Sequence, residues 1–158
     1  MKNTVSANGA GTSETGVMPK AVQDFFTAYN AKDREGYAAV FTEDAIYRCP
    51  ALGLAWNGRD EGAALFEGYL GAVPDRSCEV VRTIGSGDVV VVEFLWRAVS
   101  NGGLPGLPPK GETVEFDNLS LFELRDGLIC RFVEYLGRHK GFDIKVGSLS
   151  GSDLDVEH

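Results

Sequence analysis

Few side chains in this sequence could do acid–base chemistry from a buried position, and Glu134 is marked out by its neighbours. It lies in the run Phe132-Val133-Glu134-Tyr135-Leu136, where residues two apart share one face of an extended strand. A carboxylate sharing a face with Phe132 and Leu136 loses hydration, so its pKa rises toward the range a general acid or base needs near neutral pH. The other reading of Glu134 is a buried ion pair with Arg131, Arg48 or Arg138. Asn118 shares a strand face with Phe116, Ser120 and Phe122. An amide there needs partners, which a ligand oxygen, a backbone group or water could each supply. Tyr47 and Cys49 alternate in the same way on an earlier segment; Tyr47 could donate to a ligand carbonyl or pack with its hydroxyl at a rim. The three cysteines, Cys49, Cys78 and Cys130, have no paired spacing, so neither zinc nor a disulfide framework is expected. His139 cannot alone make a histidine metal site or a triad. No glycine cluster precedes a helix as a phosphate loop would.

The elements that position these groups read as one domain. A chain of 158 residues can bury roughly 70% of its unfolded surface without metal or disulfide staples. Its 44% hydrophobic and 24% charged content is ordinary for a soluble globular protein. No apolar run approaches the ~18 residues of a bilayer span, and the polar start of the chain shows no apolar leader, so a cytoplasmic protein with no membrane partner is expected. A net charge of −8 argues against nucleic acid as a partner. Residues 1–18 read as a disordered tail and 143–158 as a flexible acidic one, leaving a domain at 19–142.

Val22, Phe25, Phe26 and Tyr29 recur at helical spacing behind Pro19. A second helix is expected from Arg34 to about Phe41 with Asp33 as its cap. A strand follows at Ala45–Pro50, then a loop to Asn57-Gly58. A third helix follows, with Asp60 and Glu61 at its start and Leu65, Phe66, Tyr69 and Leu70 as its buried stripe. Beyond Pro74 the period becomes strand-like over Ser77–Ile84, Val89–Val99, Glu112–Leu124 and Leu128–Gly137. Helices first and hairpins second predict an α+β fold, with a curved antiparallel sheet packed against three N-terminal helices.

Several stretches in this order resemble the SnoaL-like polyketide cyclase branch of the nuclear transport factor two-like superfamily. They are Phe26-Thr27-Ala28-Tyr29-Asn30-Ala31-Lys32-Asp33, Phe41-Thr42-Glu43-Asp44-Ala45-Ile46-Tyr47-Arg48-Cys49-Pro50, Trp56-Asn57-Gly58-Arg59, Gly106-Leu107-Pro108-Pro109-Lys110-Gly111 and Arg125-Asp126-Gly127-Leu128-Ile129. The resemblance implies a cone-shaped sheet around a cavity, a fold shared with ketosteroid isomerases and epoxide hydrolases. It also shows which family residues this chain lacks. The general-base Asp of the isomerases corresponds to Cys49, their first-helix Tyr to Phe25, and their protonated Asp to Ser120. The Arg and Asp of the epoxide hydrolases correspond to Phe94 and Trp96. The Asp near the end of the last strand, the acid or base of the cyclases, falls on Gly137.

By the same resemblance the strand faces bearing those positions point inward. The implied cavity wall includes Cys49, Phe66, Phe94 and Trp96, together with Phe116, Ser120, Phe132 and Leu136. Glu134 would then be the general acid or base, with Tyr47 and Asn118 polarising a carbonyl. The implied function is a cofactor-independent enzyme of secondary metabolism, such as antibiotic biosynthesis. It would act on a hydrophobic, polyketide-like ring compound by proton transfer in a cyclisation, isomerisation or dehydration. The alternative is a non-catalytic small-molecule-binding protein of the same fold. Leu119, Leu121, Val133 and Tyr135 fall on the opposite sheet face, where a homodimer contact is expected.

Overall fold

A computed structural model describes residues 16–141; both expected tails lie outside the described residues except for 16–18. Helix α1 (Lys20–Ala31) starts behind Pro19 and buries Val22, Phe25, Phe26 and Ala28. It stops at Lys32, whose left-handed φ of 60° turns the chain back. Helix α2 (Arg34–Ala39) opens on Asp33, whose carboxylate accepts the Gly36 N–H at 2.9 Å. It is shorter than the sequence suggests because the sheet claims Phe41, which pairs with Ile129.

Strand β1 (Phe41–Cys49) therefore begins four residues before Ala45. A 3₁₀ turn at Pro50–Leu52 leads into β2 (Leu54–Asn57), which pairs with β1 where a loop was expected. Four residues are too few to show alternation in the sequence, yet the pairing buries Trp56. Helix α3 (Arg59–Gly68) ends before Tyr69 and Leu70, which are only half-buried beside the buried Phe66.

Strands β3 (Ser77–Ser86), β4 (Val89–Val99), β5 (Thr113–Arg125) and β6 (Leu128–Lys140) follow. The sheet order is β2-β1-β6-β5-β4-β3. All neighbours are antiparallel except β1 and β6, so the sheet is mixed, an α+β cone fold that is not closed. The parallel pair arises because β1 enters from the helical segment and the chain must cross the whole sheet before β6 returns beside it. Breaks in register at Val80/Arg82 and at Phe116/Asn118 mark bulges, which bend strands around a concave face.

Aromatic rings fill one end of that concavity. Phe122 and Phe132, cross-strand partners on β5 and β6, stack at 4.8 Å and 7°. Phe25 meets both edge-on at 5.3 and 5.1 Å, and Phe41 at 6.0 Å. The far end of α1 is clipped to the sheet by Asn30, whose amide nitrogen donates to the Cys78 carbonyl at 2.9 Å while its oxygen accepts the Cys78 N–H at 2.7 Å.

On the outer face Leu119 and Tyr135 are 43% and 53% exposed and sit opposite one another. Val133 departs from expectation in being buried, because Arg48 and Leu121 flank it in register on the two adjacent strands. Glu93 and Glu115, on the same face, pair with Arg82 and Arg97.

Helix α3 packs closely on β2 at Gly62, where an added Cβ would lie 2.8 Å from the Trp56 indole. Alanine favours a helix interior by about 1 kcal/mol over glycine, but the indole is packed against Phe41 and Tyr47 and cannot retreat freely. Gly62→Ala is expected to lower stability by ~1–3 kcal/mol, read as a lower midpoint in urea unfolding.

Candidate active site

Register assigns the inner face of the sheet in rows. Val90, Phe122 and Phe132 make the row under Phe25; Val92, Ser120 and Glu134 make the next; Phe94, Asn118 and Leu136 the one after. Trp96 and Phe116 continue the series. On β1, Tyr47 pairs with Phe132, two residues from Glu134 on the same strand face. The Tyr47 hydroxyl therefore reaches the carboxylate and donates to Glu134 Oε2 at 2.5 Å.

Beyond the aromatic plug the concave face stays open as a cavity of 750 Å³, within the ~300–1,000 Å³ typical of small-molecule sites. The sheet supplies Phe94, Trp96, Phe116, Asn118, Glu134 and Leu136. Tyr47 and Phe132 also line it, as does Phe66 from α3. Two positions expected in the wall are absent from it. Cys49 is fully buried because the 3₁₀ turn folds over the end of β1 and presents Ala51 and Leu52 instead. Burial pushes its thiol up to about 11, leaving it protonated and unreactive. Ser120 is too short to reach the surface of its row; it is fully buried and its Oγ has no partner among the described residues.

Among the described residues Glu134 has one polar contact, the Tyr47 hydroxyl. Arg131 pairs with Glu123 at 2.5 Å, and Arg48 is held by the carbonyls of Tyr47 and Trp56 and by Asn57. No described cation comes within ion-pair distance of Glu134; the Arg138 side chain lies outside the described residues. Desolvation raises the carboxyl to about 7, against a smaller downward pull from the Tyr47 hydrogen bond. Burial and the neighbouring carboxylate push the Tyr47 phenol well above its ordinary value, so it keeps its proton. That proton is directed at Glu134, which makes Tyr47 a positioning residue for the carboxylate. The Asn118 Oδ1 atom is buried with no partner among the described residues.

Other groups in the wall were not apparent in the sequence. Arg76, Tyr29 and Trp56 line the cavity, as do Leu104 and Leu107 of the β4–β5 loop. Arg76 shares strand parity with the buried Cys78, and that spacing was the available signal. Among the described residues no group of three His, Cys, Asp or Glu side chains could hold a metal ion, and no helix is long and apolar enough to cross a membrane.

The family model described as a SnoaL-like domain matches residues 22–132. The chain belongs to the SnoaL-like family. No curated protein matches it in sequence. Among solved structures, a candidate polyketide cyclase from Xanthomonas campestris pv. campestris is 24% identical with a TM-score of 0.66, over 74% of this chain and 87% of that one. IdmH, a candidate polyketide cyclase from Streptomyces antibioticus, is 21% identical with a TM-score of 0.63, over 73% and 88%. An LEH-like epoxide hydrolase of M. tuberculosis is 22% identical with a TM-score of 0.62, over 75% and 80%. At these identities the likeness is one of fold.

In this SnoaL-like chain Gly137, where the resemblance sets the family acid, does not line the cavity. It sits where β6 has one residue more than β5 between paired positions, and a Cβ there would lie 3.1 Å from the Asp117 carbonyl. The acid within the cavity wall is Glu134.

The raised carboxyl bears on stability. Glu134 holds its proton more tightly folded than unfolded, so its contribution is fully present below about 4.5 and is lost as pH rises to about 7. Glu134→Gln removes that loss while keeping an oxygen for Tyr47. The variant is expected to melt at a higher temperature than the parent above pH 7, with the difference vanishing below pH 4.5, in matched thermal scans.

Proposed function

We propose that this SnoaL-like protein is a cytoplasmic enzyme that moves a proton within a hydrophobic, polyketide-like ring compound, with Glu134 as the acid–base group. The observation that carries the reading is a carboxyl with a pKa of about 7 in an aromatic cavity, bonded among the described residues to Tyr47 alone. Tyr47 occupies Oε2. Oε1 has no donor among the described residues and is not sealed from the cavity. An ionised Oε1 can accept a proton from a carbon beside a ring carbonyl, and the same group, now protonated, can return it to an oxygen.

In a cyclisation the carbanion left by that abstraction attacks a second carbonyl carbon of the same molecule. One C–H bond breaks, one C–C bond forms, and the new alkoxide takes the proton from Glu134. Electrons and protons balance within the substrate, and no cofactor is called on. Stopping after reprotonation is isomerisation; loss of the new hydroxyl as water is dehydration. The candidate polyketide cyclases among the structural neighbours support cyclisation.

The first step can be followed with 2-tetralone, a bicyclic ketone with acidic hydrogens beside its carbonyl, by hydrogen–deuterium exchange in D₂O using ¹H NMR. The protein is expected to accelerate exchange, and Glu134→Gln to lower the protein-dependent rate by ~10²–10⁴. A base must be ionised, so kcat/KM for exchange should rise with pH and level off above about 7. Tyr47→Phe removes a hydrogen bond that favours the carboxylate and should shift that rise to higher pH. A Glu134→Gln variant with undiminished exchange overturns the role, and tight binding without exchange favours a non-catalytic binding protein.

The same reading takes the protein as a homodimer joined through the outer sheet face, supported by the exposed Leu119 and Tyr135. Sedimentation at micromolar concentration is expected to show a dimer that Leu119→Glu converts to monomer.

A further inference from the structure

The helix-side wall of the cavity carries a charged group that the proton-transfer reading does not use. Arg76, between α3 and β3, is 2% exposed and lines the cavity. Its backbone is pinned on both sides: its N–H donates to the Val73 carbonyl at 3.2 Å, and its own carbonyl accepts the Lys32 ammonium at 2.5 Å. The guanidinium lies between two rings, 4.7 Å from the Tyr29 centroid and 4.4 Å from that of Phe66.

A guanidinium brings five N–H donors and does not deprotonate in a protein. Here only Nη2 has an acceptor, the Phe66 carbonyl at 2.7 Å. Nε is sealed without a partner, and Nη1 has no acceptor among the described residues. No described carboxylate comes within 4.0 Å of it. The ring faces offset part of the lost hydration, but they accept no hydrogen bond in the guanidinium plane. Burying a charge without a counter-charge is costly, so the arrangement is suited to an anion from outside the chain.

Tyr29 adds a second donor. Its oxygen accepts the Trp96 indole N–H at 2.8 Å, and its own O–H proton has no acceptor among the described residues. This corner of the cavity thus offers N–H and O–H donors that no described group uses.

We propose that Arg76, with Tyr29 beside it, forms a carboxylate-binding subsite, and that the ring compound taken by this cavity bears a carboxylate. The inference rests on the cavity's reading as a ring-compound site, but not on Glu134 as its base. A planar carboxylate matches the guanidinium fork, whereas a neutral carbonyl would leave the charge uncompensated. With a net charge of −8 the chain offers anions no general attraction, so a preference for one is local. The subsite would hold the carboxylate against the helices and leave the rest of the ring system over the sheet, where Glu134 stands.

The test compares 2-naphthoate with its neutral counterpart 2-naphthamide by titration calorimetry on the whole chain at fixed pH and salt. Unaltered protein is expected to bind the carboxylate about 10-fold or more tightly than the amide. Arg76→Met should abolish that preference while leaving the amide's affinity within about threefold, and Arg76→Lys should keep part of it. Glu134→Gln should leave the preference in place, since Glu134 is not the anion's partner. Equal affinity of unaltered protein for both probes overturns the subsite while the ring-compound cavity stands, and this comparison needs no variant to fold. A preference that survives in folded Arg76→Met, shown by circular dichroism, removes the assignment to Arg76. Failure of both probes to bind at millimolar concentration overturns subsite and ring-compound cavity together, whereas loss of 2-tetralone exchange alone bears only on Glu134.

Discussion

Phe25 of α1 stands edge-on against the stacked pair Phe122 and Phe132, and the shape of the molecule follows from where that aromatic plug stops. Edge-to-face and offset contacts hold rings in fixed relative positions, so α1 is located along the concave sheet by its contact with one cross-strand row. The rows on the plug side, with Val90, Phe41 and Ile129 fully buried, form a closed core. The rows beyond, bearing Glu134, Asn118 and Trp96, are reached by helix side chains such as Tyr29 and Phe66 but not filled by them, and a cavity results. Packing at one end and vacancy at the other are two consequences of the same placement.

The vacancy carries groups that a closed core would not tolerate. Among the described residues Glu134 is desolvated and bonded by Tyr47 alone, the Asn118 and Ser120 oxygens lack partners, and the Arg76 guanidinium lies between two rings. Each is unfavourable for folding. Apolar replacements of similar volume would be expected to raise stability, the usual relation between a site and its scaffold. The upward shift of Glu134 arises from its burial, with the Tyr47 hydrogen bond pulling the other way.

Much of this was legible in the chain because it depends on local periodicity. Alternation alone set Phe116, Asn118, Ser120 and Phe122 on one face of β5 and Phe132, Glu134 and Leu136 on one face of β6, and the spacing of Val22, Phe25, Phe26 and Tyr29 marked the buried side of α1. Asp33 could be read as a helix cap from its type and position, and the structure shows that hydrogen bond. Such features require only that a strand repeat every two residues and a helix every 3.6.

The rest depended on which distant segments meet. Pairing of Tyr47 with Phe132 across 85 positions brings its hydroxyl to Glu134, and no local pattern encodes that register. Strand β2 was unreadable because four residues are stable as a strand only through their partner β1. Cys49 and Ser120 lie on the expected face, yet the turn over one and the short side chain of the other keep them from the cavity, since facing inward and reaching the surface are different properties. Arg76 carried only the weak mark of parity with Cys78; its importance comes from two rings on other elements and from having no described carboxylate within 4.0 Å. Local chemistry in the sequence determined which faces are apolar and which groups could react, while long-range packing decided which of them share a space and which remain without a partner.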